Sequence, residues 1–136
     1  MPEKATLRRA KKDLREGKAP STAAGEFIRE EIHHVREGKH GVSSAKQAIA
    51  IGLAKARRAG VPLKPQPTDA VTERTKRAMQ RAYEVGQGKR RPRTKSAKRS
   101  KAALRALRRK PKTGASHAAL SRQANSAARH RRKRAT

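Results

Sequence analysis

Arginine and lysine are the side chains that could do chemistry in number here, and that chemistry is the neutralisation of phosphate. Seventeen of them gather late in the chain: Lys89, Arg90, Arg91, Arg93, Lys95, Lys98, Arg99, Lys101, Arg105, Arg108, Arg109, Lys110, Arg129, Arg131, Arg132, Lys133 and Arg134. A guanidinium pairs bidentately with phosphate, and an ammonium meets it as a point charge. Each backbone phosphate neutralised releases a condensed counterion, which drives binding and makes it salt-dependent. The chain carries 38 basic residues against 10 acidic ones in 136, a formal net charge of +28. All ten acids lie between Glu3 and Glu84, where 19 basic residues leave a net of +9. Residues 85–136 hold the other 19 basic residues and no acid, a net of +19, with Arg outnumbering Lys 12 to 7. Self-repulsion on that scale makes little sense without a polyanion.

Other chemistries find less footing. Phe27 and Tyr83 are the only aromatics, so there is no platform of the kind on which single-strand and sequence-reading RNA modules stack bases. Contact with the backbone of a duplex or a structured RNA is the expected mode. His33, His34 and His40 stand near Glu30, Glu31 and Glu37, and Glu30/His34 and His33/Glu37 are spaced one helical turn apart. The order HExxH is missing and the spacing fixes no third ligand, so helix-surface pairing explains them and no metal is expected. With no Cys, a disulfide framework, a thiolate metal site and a cysteine nucleophile are excluded. No GxSxG, phosphate-cradling glycine loop or shielded carboxylate pair appears, so neither an enzyme nor a cofactor is expected. A helix-turn-helix would aim Lys46, Gln47, Ala50 and Ala54 at base edges, but the connection 38–43 exceeds the usual 3–4-residue turn. A plain helical hairpin is favoured there. Lys89-Arg90-Arg91-Pro92-Arg93 approaches the Arg-Gly-Arg-Pro minor-groove hook, yet Arg90 stands where the glycine should be.

These residues must be positioned by helices, and an all-α fold is expected. Leu7, Ala10 and Leu14 mark a helix over 3–16 that stops at Gly17. Pro20-Ser21-Thr22 opens a second, running to about Glu37, with Ala24, Phe27, Ile28, Ile32 and Val35 on its buried face and Gly38 beyond its end. Ser44 and Gln47 form a capping box for a third, with Ala48, Ile49, Gly52, Leu53 and Ala56 as its stripe and Gly60-Val61-Pro62 as its stop. Residues 61–68, stiffened by Pro62, Pro65 and Pro67, read as a linker, and 69–85 as a fourth helix ended by Gly86 and Gly88. In the basic stretch only 97–110 and 116–130 show helical tendency, with Leu104, Leu107, Leu120 and alanines for a face. Segments of that kind are marginal alone. The expected organisation is a helical module over 1–62, a linker and fourth helix over 63–86, and a largely disordered tail over 87–136 that folds on a partner.

Two stretches carry a resemblance: AGEFIREEIHHVREGKHG (24–41) with SAKQAIAIGLAKARRAGV (44–61), and SHAALSRQA (116–124). They are similar to a family of small, basic, uncharacterised bacterial proteins, and the resemblance implies membership without an activity. The tail is also histone H1-like in composition, though richer in Arg than that pattern. Non-sequence-specific binding of nucleic acid, duplex DNA ahead of RNA, is the leading expectation, in a cytoplasmic protein on the nucleoid. The alternative is a ribosome- or structured-RNA-associated protein. A second alternative makes residues 1–62 a dimerisation or protein-adaptor surface built on the acidic patch Glu26/Glu30/Glu31. No apolar run approaches the ~20 residues a membrane span needs, and no signal peptide is read at the N-terminus.

Overall fold

The computed structural model describes residues 2–66 and 71–135. Among them it is all helical: α1 (Lys4–Arg15), α2 (Pro20–Arg36), α3 (Ala45–Arg58), α4 (Glu73–Gly86), α5 (Ala97–Arg108), a 3₁₀ turn (Thr113–Ala115) and α6 (His117–Ala135). The first three helices fall where side-chain periodicity puts them, and each ends on a glycine of positive φ: Gly17, Gly38 and Gly60. The expected linker (61–68) and the start of the expected fourth helix (69–85) are covered only in part. Pro67 to Ala70 lie outside the described residues, and α4 begins after the Thr72 N-cap, whose hydroxyl accepts from the Thr75 N–H at 3.2 Å.

The chain packs as two units, each assembled from separated stretches. One holds Met1–Glu31 and Ala50–Thr94, the other Ile32–Ile49 and Lys95–Thr136. The sequential partition expected at Pro62 and Gly86 therefore does not describe which residues pack together.

In the first unit, small residues make the core. Ala10, Ala23, Ala24, Phe27, Ala56 and Val61 are buried, and Leu7, Leu14, Leu53 and Leu63 pack against them from partly exposed positions. Helices lined by alanine can approach closely, and Gly52 takes this furthest. A Cβ there would lie 2.7 Å from the Ile28 Cα, so α3 crosses α2 backbone to backbone. Most of the polar groups drawn inside are paired, although Asp13 Oδ2 and Glu30 Oε2 are buried without a hydrogen-bond partner. Glu31 is fully buried and meets Lys55 Nζ at 2.6 Å. Glu30 Oε1 accepts from the Glu3 N–H at 2.6 Å and from the Thr6 hydroxyl at 3.3 Å. Arg57 donates to the Leu63 carbonyl at 3.0 Å, and burial holds its guanidinium below the usual range.

The second unit overturns the expectation of a disordered tail. Ordered helices run to Ala135, because the tail's folding partner is the chain itself. The loop between α2 and α3 supplies it. Gly41 N–H donates to the Leu107 carbonyl at 2.9 Å, and Val42 N–H to the Pro111 carbonyl at 3.0 Å. Arg36 Nε reaches the Ala115 carbonyl at 2.9 Å. Val35, Val42, Ala45, Ala48 and Ala115 are buried. Leu104 and Leu107 offer too little apolar area for α5 to hold itself, so this backbone docking does what a larger core does elsewhere.

Candidate nucleic-acid interface

Counted over the whole chain, the second unit carries 18 basic residues against one acid, Glu37, a net of +17, and the first carries 20 against nine, a net of +11. Glu37 is itself neutralised by Lys39 at 3.6 Å. The seventeen cations singled out in the sequence divide accordingly. Lys89, Arg90, Arg91 and Arg93 belong to the first unit and the other thirteen to the second.

On α5, Ser96 caps the start by accepting from the Arg99 N–H at 3.4 Å. The helical repeat then sets Lys98, Lys101, Arg105 and Arg108 along one stripe, about 15 Å long at 1.5 Å per residue. All four are exposed, and so are Lys95, Arg99 and Arg109. Lys110 is the exception, half-buried with its Nζ 3.2 Å from Gln47 Oε1. On α6 the stripe is Arg122, Arg129 and Lys133, while Arg131, Arg132 and Arg134 spread charge around the last turns. Apart from the half-buried Lys110, every predicted residue of this unit is exposed, as phosphate contact requires.

The α6 stripe leads into a cleft of about 350 Å³ that no sequence motif announces. Ser43, Ser44, Ala45 and Lys46 form one side, and Thr113, Gly114, Ala119, Arg122 and Gln123 the other. Its shape follows from local structure. Ser44 caps α3, accepting from the Gln47 N–H at 3.3 Å, and Gln47 Oε1 returns to the Ser43 N–H at 2.7 Å. This is the expected capping box with its second bond moved one residue back. Ser116 caps α6 by accepting from the Ala119 N–H at 3.1 Å. Two helix N-termini, two cations and three hydroxyl side chains thus border the cleft, and no acid lines it. An anion of phosphate size meets only favourable charge there. Lys46 sits two residues past a recognisable cap, so its position is legible; Arg122 is hidden because nothing in sequence pairs residue 122 with residue 46.

Other candidate residues are engaged elsewhere. Gln47 does not face outward as a base reader, since its carbonyl oxygen is occupied by Ser43 and Lys110. The acidic adaptor patch does not exist as a surface: Glu30 and Glu31 are buried, and Glu26 pairs with Arg9 at 3.0 Å. Phe27 is buried and Tyr83 is 9% exposed, so neither presents a ring for base stacking. His40 donates from Nδ1 to the Gly41 carbonyl at 2.9 Å, a local loop contact.

Helices without strands among the described residues, bearing cation stripes and a cleft lined by Lys46 and Arg122, define a basic all-α protein. No protein-family model, curated protein or solved structure matches the chain. Among the described residues no helix is long and apolar enough to cross a membrane.

Proposed function

We propose that the protein binds duplex DNA without reading its sequence, in a histone H1-like accessory role on the bacterial nucleoid. One observation carries this reading: the exposed stripe of Lys98, Lys101, Arg105 and Arg108 on α5, in a unit whose one acid is already paired. The buried aromatics support backbone contact over stacking, and the engaged Gln47 supports phosphate contact over base readout. The tail's order changes the mechanism from the one expected. Preformed helices present their charges without the ordering cost that a disordered segment bears on binding.

The test is a salt titration of the full chain on a duplex. Each phosphate contact contributes about 0.9 to the slope of log K against log salt, so replacing the four α5 cations by Gln should remove up to about 3.6. The charge-matched control replaces Arg8, Lys11, Lys12 and Arg15, all exposed on α1. Equal losses from the two sets would mean that total charge, not the second unit, sets binding. Preference for duplex RNA at equal phosphate concentration would turn the reading to structured RNA.

A further inference from the structure

The hook-like run Lys89-Arg90-Arg91-Pro92-Arg93 has a use that its missing glycine does not forbid. Where it lies is decided by the end of α4. Gly88 adopts φ +75°, its N–H donates to the Val85 carbonyl at 3.1 Å, and the Lys89 N–H donates to the Glu84 carbonyl at 2.9 Å. This pair of bonds is a Schellman turn, which reverses the chain against the helix it has just left. The turn is held from behind, where Gln87 Nε2 donates to the Gly60 carbonyl at 3.1 Å. A Cβ on Gly86 would lie 1.7 Å from the Arg57 carbonyl oxygen, so the end of α4 rests on the end of α3 at backbone contact.

Reversal brings the basic run back to Glu84. Arg90 Nε donates to Glu84 Oε2 at 2.9 Å, and Gln80 Nε2 fixes the other carboxylate oxygen at 3.2 Å. Arg81 stands on the same face of α4, three residues before Glu84. Burial first, then the charges of Arg93 and Arg90, hold the Arg81 guanidinium below its usual range, with Glu84 the opposing influence. Glu84 is held below the usual carboxylate range, chiefly by the Gln80 hydrogen bond and then by Arg90 and Lys89, so it stays charged. Arg81 and Arg90 thus flank one carboxylate that is already bonded twice, and the charge of Arg93 reaches Arg81. An excess of positive charge assembled by a braced turn is suited to an incoming anion with several acceptor oxygens.

We propose that Arg81, Arg90 and Arg93 form a phosphate clamp, positioned by Glu84 and the turn at Gly88, that binds a phosphoryl group. It deepens the nucleic-acid reading by giving the first unit an anchor of its own, and it rests on that reading only for the source of the phosphate, either a duplex backbone or a free phosphomonoester.

Two arms separate these sources, both on the full chain. In the first, duplex DNA affinity is measured for Arg81→Gln, Arg93→Gln and Glu84→Gln, with Arg8→Gln as the charge-matched control. Loss of a charge-assisted contact should weaken binding about tenfold in either arginine variant, while the exposed Arg8 should cost less than about twofold. Arg93 lies outside the helices, so its variant reports on the clamp even if Arg81→Gln disturbs α4. Glu84→Gln is the sharpest discriminator. It removes a negative charge, so charge alone demands tighter binding, whereas loss of the tether demands weaker binding. In the second arm, inorganic phosphate and a nucleoside 5′-monophosphate are titrated while the arginine Nε–H resonances are followed by NMR. Duplex binding weakened by all three variants supports the clamp on a phosphodiester. Failure of the chain to bind duplex, with the Arg81 and Arg93 resonances moved by the monophosphate and the Arg93 resonance unmoved in Arg81→Gln, supports a phosphomonoester clamp and sinks the nucleic-acid reading. Duplex binding with Arg81→Gln and Arg93→Gln equal to Arg8→Gln, and Glu84→Gln tighter, overturns the clamp alone. Response to neither ligand overturns both.

Discussion

Gly41→Ala should detach the basic helices from the loop that orders them. A Cβ at residue 41 would lie 1.7 Å from the Lys110 carbonyl oxygen and 2.2 Å from its carbonyl carbon, with the Pro111 oxygen at 2.8 Å. These are backbone atoms with no rotamer to change, so the strand of chain at 107–111 must retreat by more than an ångström. Retreat breaks the bonds from Gly41 to Leu107 and from Val42 to Pro111, and strains the reach of Arg36 to Ala115. Two neutral bonds at roughly 1 kcal/mol each and a guanidinium bond at roughly 1.5–3 give a loss of about 3–5 kcal/mol. A unit of this size holds only a few kcal/mol of stability, at about 0.05–0.15 kcal/mol per residue. Native-state hydrogen exchange at Val42, Ala115 and Leu120 reads the result, with protection falling about a thousandfold as opening becomes global. Gly25→Ala is the control: its Cβ meets nothing within 4 Å, and alanine inside a helix should add about 0.5–1 kcal/mol. Unchanged protection in Gly41→Ala would refute the docking of the tail on this loop.

Three further outcomes probe the first unit. Gly52→Ala places a methyl 2.7 Å from the Ile28 Cα, and overpacking of this kind should cost about 1–3 kcal/mol by chemical denaturation. Lys55→Met removes the ammonium that the buried Glu31 meets at 2.6 Å and should cost about 3–5 kcal/mol, whereas adding Glu31→Leu should recover most of it, because a buried pair is dear to break and cheap to replace. Glu84 titrates below the usual carboxylate range, so its folded form is favoured when charged. Its tether to Arg90 should persist above the unfolded carboxylate pKa and be lost as pH falls through the depressed folded value, followed by carboxyl NMR. Gln80→Leu should move that value back up.

The local part of the fold is legible in the amino-acid sequence. Ser44 and Gln47 name a cap, Gly17, Gly38 and Gly60 name three helix ends, and periodicity names the buried faces of α2 and α3. These signals act over a few residues, and tertiary packing does not override them. The expectation of a disordered tail fails for an instructive reason. It rests on side-chain hydrophobicity, and by that measure α5 and α6 have little to bury. The order comes instead from main-chain donors at Gly41 and Val42 and carbonyls at Leu107 and Pro111, groups that every residue has and no composition reveals. Alanine misleads in the same way. Leu7, Leu14 and Leu53 have the character of core residues but are only partly buried, while Ala10, Ala23, Ala24 and Ala56 fill the core. The cleft joins residues 46 and 122, and the clamp depends on a reversal at Gly88; neither pairing leaves a trace in linear spacing.

The interleaving of the two units also changes what a truncation can show. Cutting at Gly86 is the natural way to remove a basic tail, yet the second unit draws Ile32–Ile49 from the front of the chain. A truncated chain would lose the carbonyls that receive the Gly41 and Val42 N–H groups and leave this loop without the segment that docks on it. Lost DNA binding would then report misfolding and missing cations together, so charge-neutralising point variants are the sound instrument. The same coupling runs the other way. A unit of net +17 repels itself, and on the nucleic-acid reading each phosphate bound relieves that repulsion while gripping the folded form. Duplex at a hundred times its Kd should therefore stabilise the second unit by about 2.7 kcal/mol, an effect that salt would weaken in parallel with binding. If duplex left exchange at Val42 and Ala115 untouched under conditions of saturation, the helices of this unit would not be the surface that holds it.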